Sequence, residues 1–141
     1  MNFMTDRIFL DTNLWVYVYA KNSIDKTQAI EALIADPSSQ LQVSTQVLGE
    51  LFNVLVRKKF TSQADAANII FELISDFAVI EIDAPKVMQA IRINQCYGYT
   101  YWDSLIVATA LLSNCIILYS EDMQHNQLIE NQLRILNPFT A

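Results

Sequence analysis

Apolar residues along this chain recur in two periods, and the switches between them divide it into strands and helices. Arg7-Ile8-Phe9-Leu10 is a short apolar run closed by Asp11-Thr12-Asn13. That is the pattern of a buried strand delivering polar residues at its carboxyl end. A helix follows from Leu14 to Ala20. From Ser23 to Ala35, Ile24, Ala29, Ile30, Leu33 and Ile34 fall at helical spacing, with Ser23 as the cap and Asp36-Pro37-Ser38-Ser39 closing the segment. Leu41 to Ser44 reads as a second strand. Thr45 to Lys59 reads as a helix capped by Ser44 or Thr45, with Val47, Leu48, Leu51, Val54 and Leu55 on its apolar side. Thr61 or Ser62, with Asp65, opens a helix running to Ser75. Phe77 to Ile82 is a third strand, and Asp83-Ala84-Pro85 begins a helix that Gly98 ends. Tyr101 to Leu112 is helical, Cys115 to Tyr119 is a fourth strand, and Arg134-Ile135-Leu136 is a weak final strand after a polar segment. Strands alternating with helices imply parallel pairing, so the pattern predicts an α/β fold. The expected architecture is a three-layer α/β/α sandwich on a parallel four- to five-stranded sheet, with residues 1–141 forming one domain.

Acids break this pattern at informative places. Ile106, Val107, Ala110 and Leu111 follow Asp103 at i+3, i+4, i+7 and i+8, so a helix carries Asp103 on the face it should bury. A buried carboxylate costs several kcal/mol unless it is paired, protonated or cation-bound, and between Lys86 and Arg134 the only Lys or Arg is Arg92. Glu50 lies three residues after Val47 and four before Val54, within or at the edge of another apolar stripe. Asp11 ends the first strand, as Ser120-Glu121-Asp122 ends the fourth. In open α/β sheets, ligands sit beyond the carboxyl ends of the strands. Two of these acids also have an ordinary reading: Asp11 as a helix cap, Glu50 as a solvated stripe-edge residue.

The composition constrains the rest. With 52% hydrophobic and 17% charged residues, two Gly and three Pro in 141 residues, the chain can bury a sizeable core. No apolar run approaches the roughly 20 residues that cross a bilayer, and Met1-Asn2-Phe3-Met4-Thr5-Asp6 lacks the regions of a signal peptide, so a cytoplasmic protein without a membrane partner is expected. Cys96 and Cys115 show no metal-ligand spacing and read as core or near-core residues. A net charge of −6 argues against holding nucleic acid by bulk electrostatics, but not against presenting a bound cation to a phosphate. The one dense run of cations, Arg57-Lys58-Lys59, is first explained by the carbonyl end of a helix and only secondarily by an RNA contact.

If the four acids converge, two bare carboxylates about 4 Å apart repel by roughly 4 kcal/mol at an effective dielectric near 20. Such a group calls for protons or divalent cations, and all-oxygen ligands select Mg²⁺ or Mn²⁺. This is the chemistry of metal-dependent nucleases and some phosphatases. An Asp-x-Asp phosphatase nucleophile is absent at Asp11, because residue 13 is Asn.

Asp11-Thr12-Asn13 after a first strand, a helical Glu50, Tyr101-Trp102-Asp103-Ser104-Leu105-Ile106 and Tyr119-Ser120-Glu121-Asp122-Met123-Gln124-His125 together resemble the PIN-domain ribonucleases, specifically VapC-type toxins of toxin–antitoxin pairs. The resemblance spans nearly the whole chain. It implies a metal-dependent endoribonuclease in which Asp11, Glu50, Asp103 and Asp122 are the catalytic and metal-binding acids and Asn13 and Ser120 are supporting polar residues. It further implies Mg²⁺ or Mn²⁺, an RNA substrate, a homodimer, and a small VapB-like antitoxin that silences the site with a basic side chain. The Ala66 to Ile74 helix, with Phe71 and Leu73, is the expected dimer face. Asn126 stands where similar sequences often have Gly; Asn tolerates the left-handed conformation, so only the local loop shape departs from the pattern. Glu121 is expected to face solvent, and His125 to sit in a surface turn. The alternative function is a catalytically silent PIN-like module that binds RNA or protein.

Overall fold

The computed structural model describes residues 5–140; of the opening stretch read for a signal peptide, Met1 to Met4 lie outside the described residues. Six strands form one sheet in the order β3-β2-β1-β4-β6-β5. In chain order the elements are β1 (Asp6–Leu10), α1 (Thr12–Ala20), α2 (Ile24–Ala35), β2 (Ser39–Ser44), α3 (Thr45–Arg57), α4 (Gln63–Asp76), β3 (Ala78–Ile80), α5 (Ala84–Tyr97), α6 (Tyr101–Leu112), β4 (Ile117–Tyr119), β5 (Leu128–Ile129) and β6 (Leu133–Leu136). The sheet is parallel from β3 to β6, and helices cover it in the expected three-layer arrangement. α1 packs on α2 and α3, α3 packs on α4, and α5 pairs with α6.

β1 is the centre of the sheet. Consecutive Ile8, Phe9 and Leu10 are all buried, although their side chains alternate between faces, because helices cover both sides. From β1 the chain steps outward to β2 and β3, then returns across β1 to β4. The strand order therefore reverses between β1 and β4, and a crevice opens beyond their carboxyl ends. Ser44, Ser62 and Asp83 cap α3, α4 and α5 through side-chain bonds to Val47, Asp65 and Lys86 N–H groups, and Gly98 closes α5 at φ 79°. Ser23 makes no such bond.

Several expectations change in detail. α6 is buried on every side from Ser104 to Leu111 instead of along one stripe, and Asp103 belongs to its half-exposed first turn, where an acid also suits the helix dipole. Leu73 is in the core at 3% exposure and so cannot form a dimer face, whereas Phe71 (65%) and Ile74 (49%) stand exposed on the same helix. Cys96 is exposed. Cys115 is buried, its thiol pushed up to about 12 by burial. β5 lies in what the sequence pattern marks as a polar segment, yet it pairs antiparallel with β6 across a turn whose Glu130 and Asn131 take φ 52° and 54°. No helix among the described residues is long and apolar enough to cross a membrane.

Candidate functional site

The crevice between β1 and β4 is built on Asp11. Its backbone N–H donates to the Tyr119 carbonyl (2.9 Å), which ties the end of β1 to the end of β4. Its buried carboxylate accepts from the Thr12 N–H (2.7 Å) and from Ser120 Oγ (2.9 Å). Asp11 thus caps α1 and lines the crevice at once. Ser120 Oγ also accepts from the Asp122 N–H (3.2 Å), so one hydroxyl couples Asp11 to the loop carrying Asp122. Asp122 is exposed, and its carboxylate accepts from Asn13 Nδ2. α3 brings in Glu50, which accepts from Thr12 Oγ1 (2.6 Å) and Gln46 Nε2 (3.3 Å). α6 brings in Asp103 from a first turn fixed by the Thr100 cap, Oγ1 accepting from the Asp103 N–H at 3.2 Å. Asp11, Glu50, Asp103 and Asp122 line a single cleft of about 300 Å³ together with Thr12, Asn13, Asn53, Val54 and Arg57.

Burial raises the Asp11 carboxyl to about 6; the Ser120 and Thr12 hydrogen bonds oppose that rise, and the Asp103 and Asp122 charges add to it. Asp103 is raised too, by burial first and then by Asp122 and Glu50. The four acids therefore feel one another. None is in an ion pair: among the described residues the ion pairs are Lys26–Glu121 and Lys86–Asp83. Nor do any three of them form a ready-made metal cage among the described residues. Thr12 and Ser120 hold Asp11, Thr12 and Gln46 hold Glu50, and Asn13 holds Asp122.

The model of the PIN domain family matches residues 8–130. The chain belongs to the PIN-domain family. No curated protein matches it significantly in sequence. Among solved structures, this PIN domain is similar to a toxin–antitoxin complex from Klebsiella pneumoniae, at 20% identity and TM-score 0.68, with 95% of this chain and 99% of that one covered. It is similar to VapC20 of Mycobacterium tuberculosis, described as a sarcin-ricin loop cleaving toxin, at 21% identity and TM-score 0.66, with 82% and 91% covered. A DNA-bound VapBC from Salmonella typhimurium matches at 20% identity and TM-score 0.67, with 94% and 97% covered.

The PIN fold brings together all six residues singled out in the sequence, Asp11, Asn13, Glu50, Asp103, Ser120 and Asp122. Other expectations resolve differently. Glu121 does not simply face solvent: it is partly buried, accepts from Tyr17 Oη (2.6 Å) and is ion-paired with Lys26. His125 does sit on the surface, and its Nδ1 accepts from the Asn137 N–H (2.9 Å), a loop contact away from the acids. Asn126 takes the left-handed backbone at φ 71°. The sequence pattern assigns Thr12, Gln46 and Asn53 no role in the cleft and offers Arg57 only as a secondary RNA contact. Asn53 and Arg57 had a legible signal, since they follow Glu50 at i+3 and i+7 and share its helix face.

Proposed function

We propose that this PIN domain, one domain over residues 1–141, is a divalent-cation-dependent endoribonuclease and the toxin of a toxin–antitoxin pair. The observation that carries this reading is the set of four carboxylates converging at the sheet's reversal point with no cation among the described residues paired to any of them. An acid cluster of that kind is maintained for an external cation, and its all-oxygen donors favour Mg²⁺ or Mn²⁺. Asp11, Glu50, Asp103 and Asp122 would hold it. When bound there, such an ion supplies Lewis acidity toward a phosphodiester and lowers the pKa of water. The protein's own groups do the positioning. Ser120 and the Thr12 N–H orient Asp11, the Thr12 hydroxyl and Gln46 orient Glu50, and Asn13 orients Asp122.

Similarity to structures described as toxin–antitoxin complexes, one of them DNA-bound, supports a small antitoxin partner; such a partner would reach the acids with a basic side chain. A homodimer is proposed through the exposed Phe71 and Ile74 face. The test is cleavage of single-stranded RNA by the purified chain with Mg²⁺ or Mn²⁺, with chelator, and after Asp103→Asn. Cleavage should require the cation and fall on the order of 10²-fold or more in the variant. Cation-independent cleavage, or full activity of Asp103→Asn, would overturn the reading.

A further inference from the structure

The acidic cleft continues past its rim. A second depression, of about 220 Å³, is lined by Asn13, Val16, Tyr17, Asn22, Val54, Lys58 and Phe60, and it shares Asn13 and Val54 with the first. The two chambers therefore adjoin at Asn13 and Val54. Their chemistry differs. The first holds four carboxylates and, at its α3 wall, Arg57; the second holds no carboxylate, one exposed cation in Lys58, the amides of Asn13 and Asn22, and the partly buried ring of Phe60.

Arg57 and Lys58 stand at the carbonyl end of α3, where helix electrostatics alone would favour cations. That account predicts no difference among Arg57, Lys58 and Lys59. The structure separates them: Arg57 and Lys58 wall successive chambers, whereas Lys59, at φ 59°, lines neither. Neither Arg57 nor Lys58 is in an ion pair among the described residues. In a chain of net charge −6, two unpaired cations on one groove are a local reversal of sign beside the acids.

We propose that the second chamber seats the RNA strand flanking the scissile bond. Lys58 and the Asn22 amide take the neighbouring phosphate, Phe60 offers its ring to a base, and Arg57 holds the backbone between the chambers. This rests on the nuclease reading above. Chambers at or below the low end of small-molecule site volumes admit a strand one nucleotide at a time, not a duplex. Phosphate contacts and an aromatic ring also position without reading sequence, so the groove fixes register while base identity is recognised elsewhere.

The test measures the equilibrium affinity of a short fluorescent single-stranded RNA in chelator, where cleavage is suppressed, across a series of salt concentrations. Lys58→Ala and Arg57→Ala should each weaken binding about 3- to 10-fold and flatten the salt slope by about 0.7. Lys58→Glu should weaken it further, and Lys59→Ala should match the wild type. The three side chains replaced, Arg57, Lys58 and Lys59, are exposed, and circular dichroism checks that each variant keeps the fold. A hairpin duplex of the same length should bind more weakly than the single strand. Equal losses at Lys58 and Lys59, unchanged binding in Lys58→Ala and Arg57→Ala, or no binding by the wild type would overturn the proposal. If the groove variants behave as expected but the wild type never cleaves with Mg²⁺ or Mn²⁺, the groove stands and the nuclease reading falls. If cleavage is robust but the variants bind normally, the reverse holds.

Discussion

Glu121 and Asp122 are neighbours in the chain, lie on the same loop after β4, and have opposite surroundings. Glu121 points toward α1 and α2, where Tyr17 donates to it and Lys26 pairs with it; the Lys26 ammonium also lies 4.9 Å from the ring centroids of Tyr17 and Phe139. Lys26 and Tyr17 hold the Glu121 carboxyl below its ordinary value against the opposing effect of burial, which is the largest single influence on it. Asp122 faces the cleft, with an amide from Asn13 and other carboxylates for company. One acid has its counter-charge built into the fold; the other shares a site that contains too many negative groups and no paired cation. The difference separates a carboxylate neutralised within the fold from one left without a paired cation among the described residues, although the two are both carboxylates.

The comparison is broken most sharply by neutralising each acid in turn. Asp122→Asn should reduce cation-dependent RNA cleavage by on the order of 10²-fold, whereas Glu121→Gln should stay within a few-fold of wild type. Comparable losses in both would erase the distinction. A smaller effect appears in stability. Asp11 keeps its proton in the folded state up to about pH 6, but in the unfolded chain loses it near 3.8. Between those values the folded protein binds more protons than the unfolded one, so stability in chelator should decline as pH rises from about 4 to 6, by at most roughly 3 kcal/mol from this group. Asp11→Asn should flatten that decline in thermal melts, and Mg²⁺ should raise the wild-type melting temperature more at pH 7.5 than at pH 5. A wild-type curve that climbs through this range would contradict the assignment. The smallest effect belongs to the paired side. Lys26 and Glu121 remain about one-third and one-quarter exposed, so solvent screens the pair and Lys26→Met should lower the chemical-denaturation midpoint only slightly.

Legibility followed the range of the forces involved. β1, α3 and α6 were readable because a run such as Ile8-Phe9-Leu10, or the spacing of Val47, Leu51, Val54 and Leu55, records burial directly. The convergence of the four acids was readable because Asp11 and Asp122 follow the ends of adjacent strands and Glu50 and Asp103 fall at apolar spacing on helices packed against that sheet. β5 was not, since two residues carry no period and the strand exists only by pairing with β6. The Glu121–Lys26 pair spans 95 positions and depends on how α2 meets the β4 loop, which no local pattern encodes. Arg57 was hidden by a simpler explanation, the end of α3, that also happens to be true. Leu73 was misread because the helical stripe of α4 is wider than the face it buries, and only packing decides which of Phe71, Leu73 and Ile74 turn inward.

The outermost strands bear on how the protein behaves when concentrated. An exposed sheet border is a row of unpaired N–H and C=O groups on which another chain can pair, and long flat borders lead to aggregation. Here one border is β5, two residues long, running against its neighbour and closed by the left-handed Glu130 and Asn131. The other is β3, three residues long and followed by Glu81, Asp83 and Pro85. Neither offers an incoming strand enough hydrogen bonds, or a flat enough lattice, to extend the sheet. Self-association is thereby steered away from open-ended β growth and toward the exposed helix faces, where contacts can close after a fixed number of copies.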